Sequence, residues 1–233
     1  MSEFVSTIAK RRLRDAINRL KSSVAAPRAG NWKRLSDAEL WGRVLVQISV
    51  VGGAESGARL RNELDPVLAD WYEALRAKKQ GERIKSIHKM LRNSGVRYVT
   101  ASIDTCKKSK AASYNFELLQ AYGGPKKYFE DLAKVPEEFW RVGIVSDEMQ
   151  YIRSKGARDL LIGLGMIENA IALDSRLQKV LSRVGIELPD DLAMNRSKYK
   201  LLESELLQKI CKPCGVTGAH FDRILFNNGK DVV

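Results

Sequence analysis

Apolar residues recur along this chain at intervals of three and four, the spacing that lines one face of an α-helix. After a capping signal at Ser36, residues Leu40, Trp41, Val44, Leu45, Ile48 and Val51 form one such face, and Gly52-Gly53 stops it. Leu64 to Leu75 and Ile84 to Leu91 read as further helices, the second ended by Asn93-Ser94-Gly95. Another is predicted from about Thr105 to Ala121, closed by Gly123-Gly124-Pro125, and one more carries Tyr128, Phe129 and Leu132 up to Pro136. Leu177, Val180, Leu181 and Val184 line a helix that begins near Asp174 and ends at Gly185, and Tyr199, Leu202, Leu206 and Ile210 repeat the pattern near the C-terminus. At the other end, Phe4, Ile8, Leu13, Ile17 and Leu20 follow the helical period loosely, and SSVAAPRAGN then reads as a linker. Strict alternation is nearly absent, with Val96 to Ile103 the one extended candidate, so the expected fold class is all-α.

Charge adds a second layer. The 233 residues are 44% hydrophobic and carry a net charge of +12, a balance that favours a polyanionic partner. Residues 1–34 hold nine Lys or Arg against two acids, and residues 35–233 hold 31 against 26. The division expected from this is a basic N-terminal arm, 1–34, ahead of one domain, 35–233. Two readings of the arm stand side by side: a DNA-gripping extension, or a helix docked on the body with a solvated basic face. No apolar run has the ~18 residues of a membrane span and no leader is apparent, so the expectation is a cytoplasmic protein with no membrane partner. Three cysteines do not make a disulfide framework, and they are one short of a four-iron cluster. Cys211 and Cys214, with His220 nearby and Cys106 or His88 as a fourth ligand, have the flavour of a zinc knuckle. A buried, reduced Cys211 is the preferred reading, so neither metal nor cofactor is expected.

The stretch richest in chemistry is Tyr151-Ile152-Arg153-Ser154-Lys155-Gly156-Ala157-Arg158-Asp159-Leu160-Leu161-Ile162-Gly163-Leu164-Gly165, followed by Ile171-Ala172-Leu173-Asp174-Ser175-Arg176. It resembles the helix-hairpin-helix DNA glycosylases, in which a hairpin leads into a helix bearing a lysine nucleophile and an apolar stretch further on ends in an aspartate. Lys155 and Asp174 lie 19 residues apart. Asp222-Arg223-Ile224-Leu225-Phe226 is similar to a segment near the end of archaeal-type 8-oxoguanine DNA glycosylase/lyases. The resemblance implies two helical lobes with a cleft between them, a hairpin and catalytic segment over about 144–176, a monomer acting on double-stranded DNA with a modified or damaged base, and abasic-site lyase activity.

The chemistry gives these residue types a purpose. Excision requires attack at the sugar C1′ of a flipped nucleotide, and an unprotonated amine forms a Schiff base there. Lys155, at the start of a helix and flanked by Arg153 and Arg158, has dipole and neighbours favouring its neutral form. Asp174 would stabilise positive charge as the glycosidic bond breaks, although Asp is also an ordinary N-cap. Arg153, Ser154, Gly156, Arg158 and Arg176 are expected at DNA phosphates, as are Arg97, Lys107, Lys108 and Lys110 beside the ring of Tyr98. Gln47, Asp159, Phe221, Asp222 and Phe226 are expected around the base.

Several positions depart from the family. The usual glycines of the hairpin are replaced by Tyr151 and Arg153, which implies another hairpin conformation, and Phe226 and Val233 stand where relatives place Trp and a lysine. Gly52-Gly53 suggests a roomier site, and Asp159 is compatible with a pyrimidine amine. A bulky hypermodified cytosine of bacteriophage DNA is therefore an alternative substrate, which would make the protein a defence factor. A non-catalytic DNA-binding module is the alternative of another class.

Overall fold

The computed structural model describes residues 4–192 and 195–232; Val233 lies outside the described residues. No β-strand occurs among them. The chain divides into two compact units, Asn31–Leu160 and a second drawn from both ends, Met1–Gly30 with Leu161–Val233.

The N-terminal helix α1 (Thr7–Leu20) belongs to the second unit. Its buried face is Ala9, Leu13, Ala16 and Ile17, joined by Val5 just before the helix, whereas Ile8 is 60% exposed, so the true stripe is shifted from the one the larger side chains suggest. Alanines serve because the helix lies close to its neighbours. Two of its cations, and Lys21 just after it, are hydrogen-bonded to carbonyls of the C-terminal region: Arg14 Nε to Lys209 O at 2.7 Å, Arg19 to Asp231 O at 2.7 Å and Lys21 Nζ to Cys214 O at 2.9 Å. The N-terminal segment is a docked helix, and part of its charge holds it in place.

The first unit contains helices α2 (Asp37–Ser49), α3 (Ala54–Leu64), α4 (Leu68–Arg76), α5 (Gln80–Asn93), α6 (Lys107–Ala121), α7 (Pro125–Ala133) and α8 (Glu138–Glu148). Helix α2 starts in a full capping box, Ser36 with Glu39, which pulls the Glu39 carboxyl below its usual range through hydrogen bonds from Ser36. Its Trp41 is fully buried, edge-on to Phe116 at 5.1 Å between centroids, as a core residue. Helix α3 has few large apolar positions, and sequence patterning passes over it. Where an extended piece is expected, Val96 to Ile103 is an irregular loop closed by a 3-10 turn at Ile103–Thr105, and Tyr98 takes a left-handed conformation, φ 62°.

Helix α9 (Ser154–Leu164) follows α8 through the hairpin, and the division into units falls within it. The second unit continues with α10 (Ser175–Arg183), α11 (Arg196–Leu206), a π-helical turn Leu207–Cys211, the short α12 (Lys212–Cys214) and α13 (Gly218–Asn228). Its core joins α1 residues to Leu177, Leu181, Leu202, Leu206, Phe221 and Leu225. Cys211 and Cys214 are free and buried in that core, and burial pushes the Cys211 thiol up to about 12. Gly218 lets α13 begin against the backbone of Ala170, where a Cβ would stand 2.8 Å from the carbonyl oxygen. Among the described residues, no helix is long and apolar enough to cross a membrane.

Candidate active site

Lys155 is the second residue of α9, and the hairpin that places it is pinned from α6. Asn115 donates to Gln150 O at 2.9 Å and accepts from Gln150 N–H at 2.8 Å, fixing the turn. Tyr151 then adopts φ 67°, and Ile152 is 1% exposed. The missing glycine is therefore not answered by a right-handed backbone at that position. A tyrosine occupies the left-handed conformation that glycine favours, at a cost of about 1–2 kcal/mol.

Lys155 lines a cavity of about 520 Å³ with Gln47, Val50, Val51, Tyr151, Arg153 and Gly156, all within the first unit. Its side chain is 38% exposed, and its Nζ is ion-paired with Asp159 one helical turn on. Gly156 lies beside Gln47, so that a Cβ there would approach Gln47 Nε2 to 3.4 Å. The structure thus brings together Gln47, Arg153, Lys155, Gly156 and, through the ion pair, Asp159.

Two expected roles are corrected in this unit. Arg158 is 2% exposed and its guanidinium returns to Ser154 O and Oγ at 3.1 and 2.7 Å, tying the first turn of α9 instead of facing a phosphate. Lys108 is fully buried, its ammonium donating to Ser49 O at 3.0 Å and Val51 O at 2.7 Å, because its place on α6 faces the end of α2 while Lys107 and Lys110 point outward. Arg97 stays exposed while donating to Gly52 O at 3.0 Å and pairing with Glu55. Gly52 and Gly53 do not line the cavity; they make the turn after α2, with φ 96° and 150°.

In the second unit, Asp174 is the N-cap of α10, its Oδ1 accepting from Leu177 N–H at 2.7 Å. The three residues before it are held one by one. Glu203 Oε1 accepts from Ile171 N–H at 2.8 Å, Asp222 Oδ1 from Ala172 N–H at 3.1 Å, and Tyr199 OH from Leu173 N–H at 2.8 Å while donating to Ile171 O at 2.7 Å. Gln178 completes the set by donating to Leu173 O at 2.7 Å. A backbone that makes neither helix nor sheet is in this way fully supplied with partners. Sequence reasoning read Tyr199 only as part of a helix face and passed over Glu203; Asp222, expected around the base, gives its Oδ1 to the backbone of Ala172. Replacing Tyr199 by Phe removes both hydroxyl bonds and leaves Leu173 N–H and Ile171 O only their bond to each other at 3.1 Å, with an expected loss of about 1–3 kcal/mol in a denaturant melt. A loss under about 0.5 kcal/mol would mean that water or a neighbour replaces the hydroxyl.

Phe221 is fully buried in the core of this unit and does not reach a base, since it lies on the inner face of α13. Phe226, on the outer face, is 46% exposed with the Arg176 guanidinium 4.2 Å from its ring centroid. The two residues line a groove of about 1210 Å³ with Lys179, Arg183 and Lys230.

No family model matches this sequence, and no curated protein matches it. Solved structures do. The 8-oxoguanine DNA glycosylase of Methanocaldococcus jannaschii is similar with a TM-score of 0.67 at 16% identity, over 93% of this chain and 91% of that one. The 8-oxoguanine DNA glycosylase of Thermotoga maritima gives 0.62 at 21% identity, over 93% and 92%. The Methanocaldococcus jannaschii 8-oxoguanine glycosylase/lyase in complex with a 15mer DNA containing 8-oxoguanine gives 0.63 at 18% identity, over 98% and 94%. The chain has the helical fold of these glycosylases along nearly its whole length.

Proposed function

We propose that this protein is a DNA glycosylase with abasic-site lyase activity, acting on double-stranded DNA, with 8-oxoguanine as the substrate that the neighbours' names favour. The observation that carries the reading is Lys155: a lysine in the first turn of the helix after the hairpin, lining a cavity, in a chain with this fold.

In the reading, the target nucleotide leaves the stack and its base enters a pocket. Lys155 first gives up a proton, for which the paired Asp159 carboxylate is the nearest acceptor. The amine nitrogen then forms a bond to C1′ while the bond from C1′ to the base breaks, its electron pair departing with the base, which takes up a proton. Asp174 opposes the positive charge that develops on the sugar. Opening of the sugar ring turns the adduct into a Schiff base, and loss of a C2′ proton expels the 3′ phosphate.

Asp174→Asn is the test for the aspartate. Asn caps helices about as well as Asp, so α10 and the melting temperature are expected to stay, with duplex binding unchanged. Base release is expected to fall on the order of a hundredfold or more. Full activity would remove Asp174 from the mechanism.

Substrate is read by mass spectrometry of free bases after incubation with 8-oxoguanine, alkylated and virus-modified duplexes. Release of 8-oxoguanine supports the proposal. Release of only a hypermodified cytosine would replace the substrate and move the protein from repair to defence. Salt-dependent binding with no base released would leave a DNA-binding module.

A further inference from the structure

Lys108 carries a charge into the interior with no carboxylate hydrogen-bonded to it. Its Nζ reaches two carbonyl oxygens at the C-terminal end of α2, Ser49 and Val51, and the Tyr98 ring centroid is 5.9 Å away. A helix C-terminus offers unsatisfied carbonyls and a partial negative charge, which an ammonium meets well. Even so, the site is expensive: burial pulls the amine down from the ordinary lysine value to about 8. An apolar side chain there would avoid the desolvation, which argues that the charge is kept for more than stability.

The turn that Lys108 grips is held from two other directions. Arg97 donates to Gly52 O, and the Tyr98 ring, on a left-handed backbone, covers the α-carbon of Gly52 so closely that no side chain fits there. Three side chains thus converge on Ser49–Gly52. The other side of the same turn is functional in the reading above, because Val50 and Val51 line the cavity with Lys155, as does Gln47 one turn earlier. Packed interiors have few intermediate arrangements, so the grip on one side sets where the wall stands on the other.

We propose that Lys108 is a specificity-determining positioning residue: by clamping Ser49 O and Val51 O it sets the Gln47–Val51 wall and thereby the width of the base cavity. The inference rests on the proposed glycosylase function. It predicts that loss of the clamp loosens discrimination between bases more than it weakens the grip on DNA.

The test uses the full chain with Lys108→Met, which keeps the length and removes the donor, and Lys108→Gln, whose amide can still donate to carbonyls. Lys108→Met is expected to keep the duplex affinity and to lower the ratio of single-turnover release of 8-oxoguanine to that of guanine by about tenfold. Lys108→Gln should restore part of the ratio at a similar melting temperature, which a merely structural role would not do. Wild-type discrimination in Lys108→Met overturns the clamp and leaves the glycosylase function standing. Should the wild type release no base, the function falls and the clamp is judged by amide hydrogen exchange: faster exchange confined to residues 47–53 in Lys108→Met supports it, and unchanged exchange there refutes it.

Discussion

Lys155→Gln is expected to abolish the borohydride-trapped adduct with 8-oxoguanine DNA and to slow base release on the order of a thousandfold or more. The substitution is chosen to isolate the amine. Gln is a good helix former, so the first turn of α9 is kept, and its amide can still donate to the Asp159 carboxylate that pairs with Lys155. The cavity keeps its walls, since Gln47, Val50, Val51 and Tyr151 are untouched. Duplex affinity should therefore stay within a few-fold while the covalent chemistry vanishes. Two outcomes would count against the proposal in different ways. Equal trapping by wild type and variant means that the lysine is not the nucleophile. Loss of trapping with full base release means that water attacks C1′ and that the protein is monofunctional.

Deleting residues 1–24 is expected to unfold the second unit. From sequence, the segment reads in part as a DNA-gripping arm, and for such an arm deletion would cost affinity alone. In the structure, Val5, Leu13 and Ile17 are 1% exposed or less and belong to the core that also holds Phe221 and Leu225. Each such side chain contributes about 1.5–3 kcal/mol on burial, and a whole domain is stable by only about 5–15 kcal/mol. The deletion also strips the partners from Lys209 O, Cys214 O and Asp231 O. Calorimetry should show the loss of a cooperative transition, and circular dichroism a loss of helix beyond the residues removed. A truncated protein that melts like the full chain would show that α1 is dispensable. The charge itself is tested separately with Arg11→Gln and Arg12→Gln, on exposed positions; if the basic face touches DNA, the salt dependence of binding falls by about one unit of slope per lost contact.

Much of the fold was legible because its signals are local. The cap at Ser36 and the stripe that follows lie within sixteen residues, and α2 forms from them as far as Ser49, leaving only the last residue of the expected stripe, Val51, beyond the helix and 40% exposed. The break at Gly185 and the stripe of α10 are of the same kind. Where the local signal is faint, reading fails: α3 buries only Leu60 and Leu64 among its large residues, and α1 uses alanines where larger apolar residues draw the eye. Around the candidate site, the lysine, the aspartate and the hairpin could be marked from order and spacing, whereas the distant partners of the segment before the aspartate could not. Asp159 sits four residues from Lys155 and its ion pair follows from helical spacing. Tyr199, Glu203 and Asp222 serve the segment before Asp174 from between 26 and 50 residues away, and no periodicity announces that.

The same contrast divides the charged residues. By itself the sequence determined an all-α chain with excess positive charge, a hairpin and helix presenting Lys155, and an aspartate capping the next helix, because periodicity, caps and short spacings act within a few turns of backbone. Tertiary structure alone decided which cations face solvent. Lys107 and Lys108 are neighbours in sequence, yet one is exposed and the other closes the end of α2, since successive residues on a helix point about 100° apart and only the packing of α6 says which direction is inward. Arg158, Phe221 and the basic helix at the N-terminus were decided in the same way: their chemistry is written in the sequence, and their surroundings come from residues brought to them by the fold.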